Sequence, residues 1–299
     1  MYEIRDRLLA ALDSGRTLAI ATAVSIEGSA PRTVGTSMAF DGEAVIGSIA
    51  GGCVEGAVVD ACAEVLADGI PRTVEYGVDD ETAFSVGLTC GGQLRIHVQL
   101  MDAALETALR RGEAVTIRVC EGDDPEVFVE HPPATPRMII FGAMEYSAAL
   151  SQAARMLGYA ITVCDPRPLF ATAERFPAVE LVVQWPPTWL AAQQLETQDI
   201  LCVLSHDARY DAELIELALN TPAFYVGAMG SRATHDRRIA SLRERGVTDV
   251  GRLHSPIGLD LGASTVEETA IAILAEIIAV RTAASTQPLV MTTGAIHGR

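Results

Sequence analysis

Short apolar strands alternate with helical stretches through the second half of the chain, and this alternation restricts the fold more than any other feature. The first strand, "RMIIFGA" at 137–143, is short and apolar, ends in a glycine turn and precedes helical spacing at 146–158. Further apolar strands are predicted at 160–165, 179–184, 199–205 and 223–230. Continuous apolar strands joined by helices are typical of a parallel sheet buried on both faces. The pattern therefore predicts an α/β domain with a doubly wound parallel sheet.

The first half has a different pattern, in which strands and helices mix without strict repetition. Helices are predicted at 4–12 and 54–67, strands at 17–26, 72–78 and 93–100, and a hairpin that turns at Asp41-Gly42. Four prolines in 124–136 indicate a linker. The predicted organisation is an N-terminal α+β domain at 1–123, that linker, a Rossmann-like doubly wound domain at 137–284 and a tail at 285–299.

The composition excludes several classes of protein. The 299 residues are 49% apolar and carry a net charge of −17, so general affinity for nucleic acid or anionic lipid is not expected. All 22 basic residues are arginine, which removes Schiff-base chemistry and the lysine of a P-loop. The start of the chain lacks a secretory signal pattern, and the longest apolar run, 270–280, is too short to span a bilayer. We therefore expect a soluble, cytoplasmic protein.

Two of the six cysteines stand in glycine-lined turns, "GSIAGGCVEG" and "LTCGGQLRI". The residues of interest in these turns are Gly51, Gly52, Cys53, Cys90, Gly91 and Gly92. A helix start favours the thiolate form of a cysteine just before it, so Cys53 is the first candidate for contacting a soft metal or carrying sulfur, and Cys90 is the second candidate for a catalytic thiol. The alternative is that both cysteines are small residues packed at tight turns.

The other four cysteines have apolar neighbours, and no two cysteines form a CxxC pair. This spacing argues against a structural zinc site and against a disulfide scaffold. We expect these four to be small buried hydrophobic residues: Cys62, Cys120, Cys164 and Cys202.

In a doubly wound sheet, ligands bind at the carboxyl ends of the strands. After the first strand, Gly142 opens a turn in which Met144 stands where a dinucleotide-binding fingerprint has its second glycine. Asp165 follows at about the distance expected of a ribose-binding acid. Because a side chain at the second glycine would meet the pyrophosphate, we do not expect NAD(P) in the usual pose.

Three later loops carry further candidates. His206 and Asp207 have the chemistry to exchange protons or hold a metal, although Asp207 or Asp211 could instead cap the next helix. The next turn offers an anion cradle made of Gly227, Gly230, Ser231 and Arg232. A last glycine-rich loop contains Gly258 and Asp260 and leads into a capping-box start from Thr265 to Glu268. Together these loops predict a phosphate-bearing ligand.

The motifs as a set resemble the XdhC/CoxI family, accessory proteins for molybdenum hydroxylases such as xanthine dehydrogenase and CO dehydrogenase. In the first half the resemblance rests on "GSAPRTVGTSMAF", "GSIAGGCVEG" and "LTCGGQLRI". In the second half it rests on "DPRPLFATAERFP", "SHDARYD", "YVGAMGSRATHDRRIASLRERGV" and "PIGLDLGASTVEETAIAILAEI". The match covers nearly the whole chain.

The resemblance implies that the chain binds molybdenum cofactor, protects it while its terminal sulfur is installed, and delivers it to the apoenzyme of a molybdenum hydroxylase. It implies a cofactor-maturation chaperone more than an enzyme, and it leaves open a cysteine desulfurase as sulfur donor and a homodimer. The family motif falls on Gly51, Gly52, Cys53 and Glu55, and on Cys90, Gly91 and Gly92. Two other classes remain as alternatives: an NAD(P)-dependent oxidoreductase, and a docking protein whose glycine loops only shape a surface.

Overall fold

The chain divides into two compact units. A computed structural model describes residues 1–28, 30, 32–77, 93–119 and 126–293. The first unit holds Met1–Pro133 with the segment from Gln287 onward, and the second holds Ala134–Thr286. None of the helices in the described ranges combines the length and apolar character that a membrane crossing requires.

The described elements of the first unit are α1 (Arg5–Asp13), β1 (Ala19–Glu27), β2 (Ser37–Phe40), β3 (Val45–Gly47), α2 (Glu55–Asp68), β4 (Arg72–Tyr76), β5 (Gln93–Leu100), α3 (Ala103–Arg111), β6 (Val115–Val119) and β7 (Glu126–Glu130). A 3₁₀ turn at Tyr2–Ile4 precedes α1, and another lies at Leu289–Met291. The unit is built on an antiparallel sheet with the order β3-β2-β1-β5-β4. Alternation along β1 sends Ala19 and Ala21 into an apolar cluster with α2, and Ile20 into a second cluster with α1 and α3.

The predicted linker at 124–136 is wrong in part. Strand β7 lies inside it and pairs with β6 as an antiparallel hairpin of the first unit. The segment "EVFVE" alternates charged and apolar residues, and Phe128 packs against the apolar cluster beneath α1 and α3. The prolines on both sides of this segment led to the prediction of a linker, although the segment has the period-two pattern of a strand. At the other end of the range, the carbonyl of Pro136 accepts a hydrogen bond from Ala160 N at 3.0 Å and so belongs to the second unit.

The elements of the second unit are β8 (Arg137–Phe141), α4 (Glu145–Met156), β9 (Ala160–Cys164), β10 (Glu180–Val182), α5 (Pro186–Ala191), β11 (Ile200–Val203), α6 (Asp211–Leu219), β12 (Tyr225–Ala228), α7 (Arg232–Glu244), β13 (Leu253–His254) and α8 (Val266–Thr282). Its six strands form a parallel sheet in the order β10-β9-β8-β11-β12-β13. The order reverses between β8 and β11, which is the topological switch point of a doubly wound sheet. Helices α4 and α8 share an apolar cluster on one face, and α5, α6 and α7 share another on the opposite face.

The predicted fold class is confirmed: an α+β first unit is followed by a Rossmann-like, doubly wound parallel sheet. The hairpin at Asp41-Gly42 is also confirmed, because β2 and β3 pair on either side of it. Strand β13 escaped prediction because two residues are too few to show a periodic pattern.

Candidate functional site

The loop between β3 and α2 carries Cys53 and folds around a single carboxylate. That carboxylate belongs to Glu55, the first residue of α2. Its two oxygens accept five hydrogen bonds of 2.7–3.2 Å, from Ser48 Oγ and from the backbone N–H groups of Ile49, Ala50, Gly52 and Val54. These hydrogen bonds to Glu55 therefore hold the loop in its conformation.

These hydrogen bonds change both the chemistry and the role of Glu55. Burial opposes ionisation of its carboxyl group, but the donors, led by Ala50 N and Ser48 Oγ, outweigh burial and lower the pKa to about 2. The sequence placed Glu55 among the cofactor contacts. The structure instead makes it the internal anion that satisfies the N–H groups of the loop, because both of its oxygens are already engaged.

Cys53 is a free, half-buried thiol in this loop. Its two predecessors adopt positive φ angles, 76° at Gly51 and 118° at Gly52, which other residues rarely adopt. A Cβ atom built on either glycine would meet no atom of the described residues, other than its chain neighbours, within 4 Å. Among the described residues, nothing therefore fills the space beside Gly51 and Gly52, the two residues that precede Cys53.

The other cysteines differ from Cys53. Cys62, Cys164 and Cys202 are buried and free, as predicted. Burial raises the pKa of Cys62 and of Cys164 to about 12, and it also raises that of Cys202. Cys90, Gly91, Gly92 and Cys120 lie outside the described residues. Within the described residues, no group of three or more His, Cys, Asp or Glu side chains could hold a metal ion.

At the switch point of the second unit, the predicted ribose-binding acid is fully occupied. Asp165 is 0% exposed, and its carboxylate accepts hydrogen bonds from Ala143 N at 2.7 Å and from three donors of Arg167 at 2.8–2.9 Å. Burial opposes ionisation, but the Arg167 and Ala143 donors outweigh it and lower the pKa of Asp165. Four hydrogen bonds use the four acceptor positions of a carboxylate, so none remains for a ribose hydroxyl.

In the turn that would hold a pyrophosphate, a methionine side chain stands where the fingerprint needs a glycine, and neighbouring side chains bind other protein groups. Met144 Sδ lies 3.7 Å from Arg167 Nη2. The buried Ser147 hydroxyl, at the third fingerprint position, donates to the carbonyl of Gly142. Gly142 itself, at φ 107°, is required by close strand packing, because a Cβ there would lie 2.9 Å from Ser205 N. These residues do not fit NAD(P) in the pose that the fold would otherwise offer.

The two candidate residues that follow β11, His206 and Asp207, differ in exposure and in their partners. His206 is exposed, whereas Asp207 forms an ion pair with Arg209, whose Nε lies 2.8 Å from Asp207 Oδ1. The Arg209 hydrogen bonds lower the pKa of Asp207 to about 2. Asp211 does not cap α6, whose N-cap residue is Tyr210, whereas Asp207 Oδ1 accepts the backbone N–H of Arg209 at 3.1 Å in the turn that leads into the helix.

The turn between β12 and α7 begins a well-formed helix. Ser231 Oγ accepts a hydrogen bond from Thr234 N at 3.1 Å and caps α7, while Arg232 is exposed. A Cβ on Gly227 would lie 2.5 Å from Ile257 Cδ1, and one on Gly230 would lie 2.9 Å from Thr234 Cγ2. Packing therefore accounts for both glycines.

The last predicted loop is tied to α8 by a half-buried acid, Glu276. Gly258 N donates to Glu276 Oε2 at 2.8 Å, and the same carboxylate accepts the Tyr225 hydroxyl and lies 3.4 Å from His254 Nδ1. Burial opposes ionisation of Glu276, but the His254 and Tyr225 donors outweigh it and lower its pKa. Asp260, by contrast, is exposed.

One ion pair at this edge was not predicted from sequence. Arg238 is only 5% exposed and binds Asp211 through Nη2 at 2.8 Å, and it also donates to Ser255 Oγ and to the carbonyl of Met229. A signal was present, because Arg238 lies four residues before the buried Leu242 and so shares its helix face.

Comparisons with known proteins agree with this architecture. A model of the XdhC Rossmann domain matches residues 138–277, and a model of the XdhC and CoxI family matches residues 11–77. The two matches together cover more than half of the chain. A crystal structure of a xanthine dehydrogenase from Bacillus halodurans has a TM-score of 0.77 at 23% identity, over 95% of this chain and 98% of that one. At 23% identity, this similarity shows that the two proteins share a fold and nothing more.

Two relatives extend over almost the same length. A probable xanthine dehydrogenase subunit from Bacillus subtilis (strain 168) is 27% identical, over 94% of this chain and 98% of its own. The molybdenum cofactor insertion chaperone PaoD of Escherichia coli (strain K12) is 26% identical, over 91% of this chain and 86% of its own. Both family models match, one in each unit, and the chain therefore belongs to the XdhC and CoxI family.

Proposed function

We propose that this protein is an accessory factor that binds molybdenum cofactor as cargo, protects it during sulfuration and delivers it to the apoenzyme of a molybdenum hydroxylase. Family membership and the name of the PaoD relative support a role connected with this cofactor. A cysteine desulfurase as sulfur donor, and a homodimer, belong to the same proposal.

The observation that carries the proposal is the presentation of Cys53. Its half-buried thiol stands on a loop whose conformation Glu55 fixes through five hydrogen bonds. No described residue beyond the chain neighbours comes within 4 Å of a Cβ built on Gly51 or Gly52, and this space lets a bulky ligand approach the backbone just before the thiol. A loop fixed in advance holds its thiol in place at little further entropic cost on binding.

The chemistry of a thiol suits this cargo. Sulfur ligands favour soft metals and sulfur-rich centres, whereas carboxylates favour hard cations. Cys53 would contact the metal-sulfur end of the cofactor, and the flanking glycines would leave room for the rest of the ligand. Glu55 would act indirectly, by holding the loop in the conformation that presents the thiol.

The proposal is tested by loading the purified chain with molybdenum cofactor anaerobically and measuring retention, protection against oxidation and reactivation of an apoenzyme. Cys53→Ala should abolish retention, and it should lower the free energy of unfolding by no more than about 1 kcal/mol because the thiol is small and half-buried. Cys62→Ala is the matched control, since it removes a buried thiol from α2 of the same unit. That variant should keep the cofactor even if it is less stable. Full retention by Cys53→Ala would refute the proposal.

A further inference from the structure

A pocket of ≈ 450 Å³ lies between α6 and α7, next to the carboxyl ends of β11 and β12. Two alanines and six polar residues line it, the latter being His206, Asp211, Thr234, Arg237, Arg238 and Ser241. Pockets that bind small ligands commonly measure about 300–1,000 Å³, so this one has the volume for a ligand of nucleotide size or smaller.

In the less accessible part of the lining, the charges of Arg238 and Asp211 compensate each other and hydrogen bonds fix the Arg238 side chain. Arg238 makes four hydrogen bonds, two to the Asp211 carboxylate and one each to Ser255 Oγ and the Met229 carbonyl. These bonds join α6, α7 and the two loops that follow β12 and β13. Asp211 is thereby paired with a cation, and its negative charge does not repel an anion that enters the pocket.

The accessible part of the lining carries an uncompensated positive charge. Arg237 is exposed, and the described residues provide it with no ion pair and only a 3.4 Å hydrogen bond to Thr234 Oγ1. His206, also exposed, and the Ser241 hydroxyl add further donors. The lining thus has two arginines against one carboxylate, in a chain whose net charge is −17. A locally positive concave site in an acidic protein attracts anions selectively.

We infer that this pocket binds the phosphate group of a small phosphate ester. The planar guanidinium of Arg237 matches two phosphate oxygens at once, and the hydroxyls and imidazole supply donors for a third. A carboxylate has only two oxygens and would leave some of these donors without a partner. Thr234 stands in the first turn of α7, where the helix dipole also favours an anion.

This site lies further into α7 than the turn that the sequence suggested. Arg232 and Ser231 do not line the pocket, whereas Thr234 and Arg237 do. The inference does not depend on Cys53 or on the identity of the cargo, so it stands or falls separately from the proposed function.

The test is calorimetric titration of the full-length chain at low ionic strength with inorganic pyrophosphate, a nucleoside monophosphate and the corresponding nucleoside. Arg237→Ala should weaken binding of the phosphates by about 10- to 150-fold, the loss expected for a charge-assisted hydrogen bond. Arg243→Ala is the matched control, because it removes an exposed arginine from the same helix outside the pocket. It should change affinity by less than about twofold. Both substitutions are at exposed positions, and unfolding curves check that the variants are folded.

Comparing the affinities of the three titrants shows whether the pocket recognises the phosphate alone or also the organic part of an ester. Tighter binding of the monophosphate than of pyrophosphate supports an ester whose organic part also enters the pocket, and equal binding supports recognition of the phosphate alone. The inference would be overturned by no saturable binding of either phosphate at millimolar concentration, by equal binding of the nucleoside and its monophosphate, or by equal weakening by Arg237→Ala and Arg243→Ala. Weakening by Arg232→Ala but not by Arg237→Ala would also overturn it, since the site would then be the preceding turn.

Discussion

At the scale of single residues, three carboxylates act as internal anions for glycine-rich loops. Glu55 accepts the N–H groups of the Cys53 loop, Asp165 accepts Ala143 N, and Glu276 accepts Gly258 N. Backbone N–H groups in such loops would otherwise bind water or an anionic ligand. These loops are therefore held in shape before any ligand arrives, and a glycine-rich loop alone does not identify a ligand site in this protein.

The internal anion of the Cys53 loop leads to a prediction about pH. Glu55→Gln should lower the free energy of unfolding of the first unit by about 1.5–3 kcal/mol at pH 6, because hydrogen bonds to a charged acceptor are lost. The pKa of Glu55 is about 2 in the folded protein, below the ordinary value of 4.5. Its contribution is thus complete above about pH 4.5 and is lost as the pH falls towards 2. The difference between wild type and variant should shrink over that range.

Urea unfolding followed by circular dichroism at pH 6 and pH 3 measures this difference. Glu43→Gln, at an exposed glutamate of the same unit, is the control and should change stability by less than about 0.5 kcal/mol at either pH. A Glu55→Gln effect of the same size at both pH values would show that the ionised carboxylate does not stabilise the loop.

At the scale of elements, the turn between β8 and α4 is defined by close approach to β11. Gly142 N donates to the carbonyl of Cys164 at 2.9 Å, and its Cα faces the backbone of Ser205. The first and fourth strands of the unit meet here at the switch point of the sheet. The glycine that resembles the start of a dinucleotide fingerprint thus serves the packing of two strand ends.

Substitution of the glycines on either side of α4 distinguishes the cost of backbone strain from the cost of a steric clash. Gly158→Ala should destabilise the second unit by about 1–2 kcal/mol, because φ is 82° there and a Cβ would meet no atom of the described residues within 4 Å. Gly142→Ala should cost about 1–3 kcal/mol more, since its Cβ would also lie 2.9 Å from Ser205 N. Free energies of unfolding from urea titrations give both values. Equal costs would mean that the strand ends can move apart to accept a methyl group.

At the scale of the whole molecule, each unit has its own core. In the described residues, two apolar clusters draw on positions 1–128 and two others on positions 138–277, and no cluster mixes the units. The second unit has about 150 residues, a size at which a chain buries enough apolar surface to fold alone.

We therefore expect a fragment of residues 134–286 to fold without the rest of the chain. It should unfold cooperatively on heating and, because residues 206–241 line the phosphate pocket, it should keep the affinity of that pocket. A fragment of residues 142–286 is the control: it lacks β8, which pairs with both β9 and β11, and should not fold. Calorimetry and circular dichroism measure both fragments. A non-cooperative transition in the longer fragment would show that its core needs the first unit.

The features that could be predicted from sequence are those that local backbone geometry governs. The strands from 137 to 230, the hairpin at Asp41-Gly42 and the capping box from Thr265 to Glu268 all follow from periodicity, turn chemistry or capping within a few residues. The burial of Cys62, Cys164 and Cys202 followed likewise from apolar neighbours. These patterns are local because the pleat of a strand and the turn of a helix repeat over two to four residues.

Which donors and acceptors meet depends instead on tertiary packing. Arg238 binds Asp211 from 27 positions away, and the Asp165 carboxylate meets Ala143 N across two strand ends, so neither partnership leaves a spacing that can be read along the chain. Glu55 is the instructive intermediate case: its partners lie within seven residues, yet whether it faces a ligand or its own loop depends on how that loop closes. Polar groups are satisfied by whatever the packed chain brings near them, and packing is a property of the whole fold.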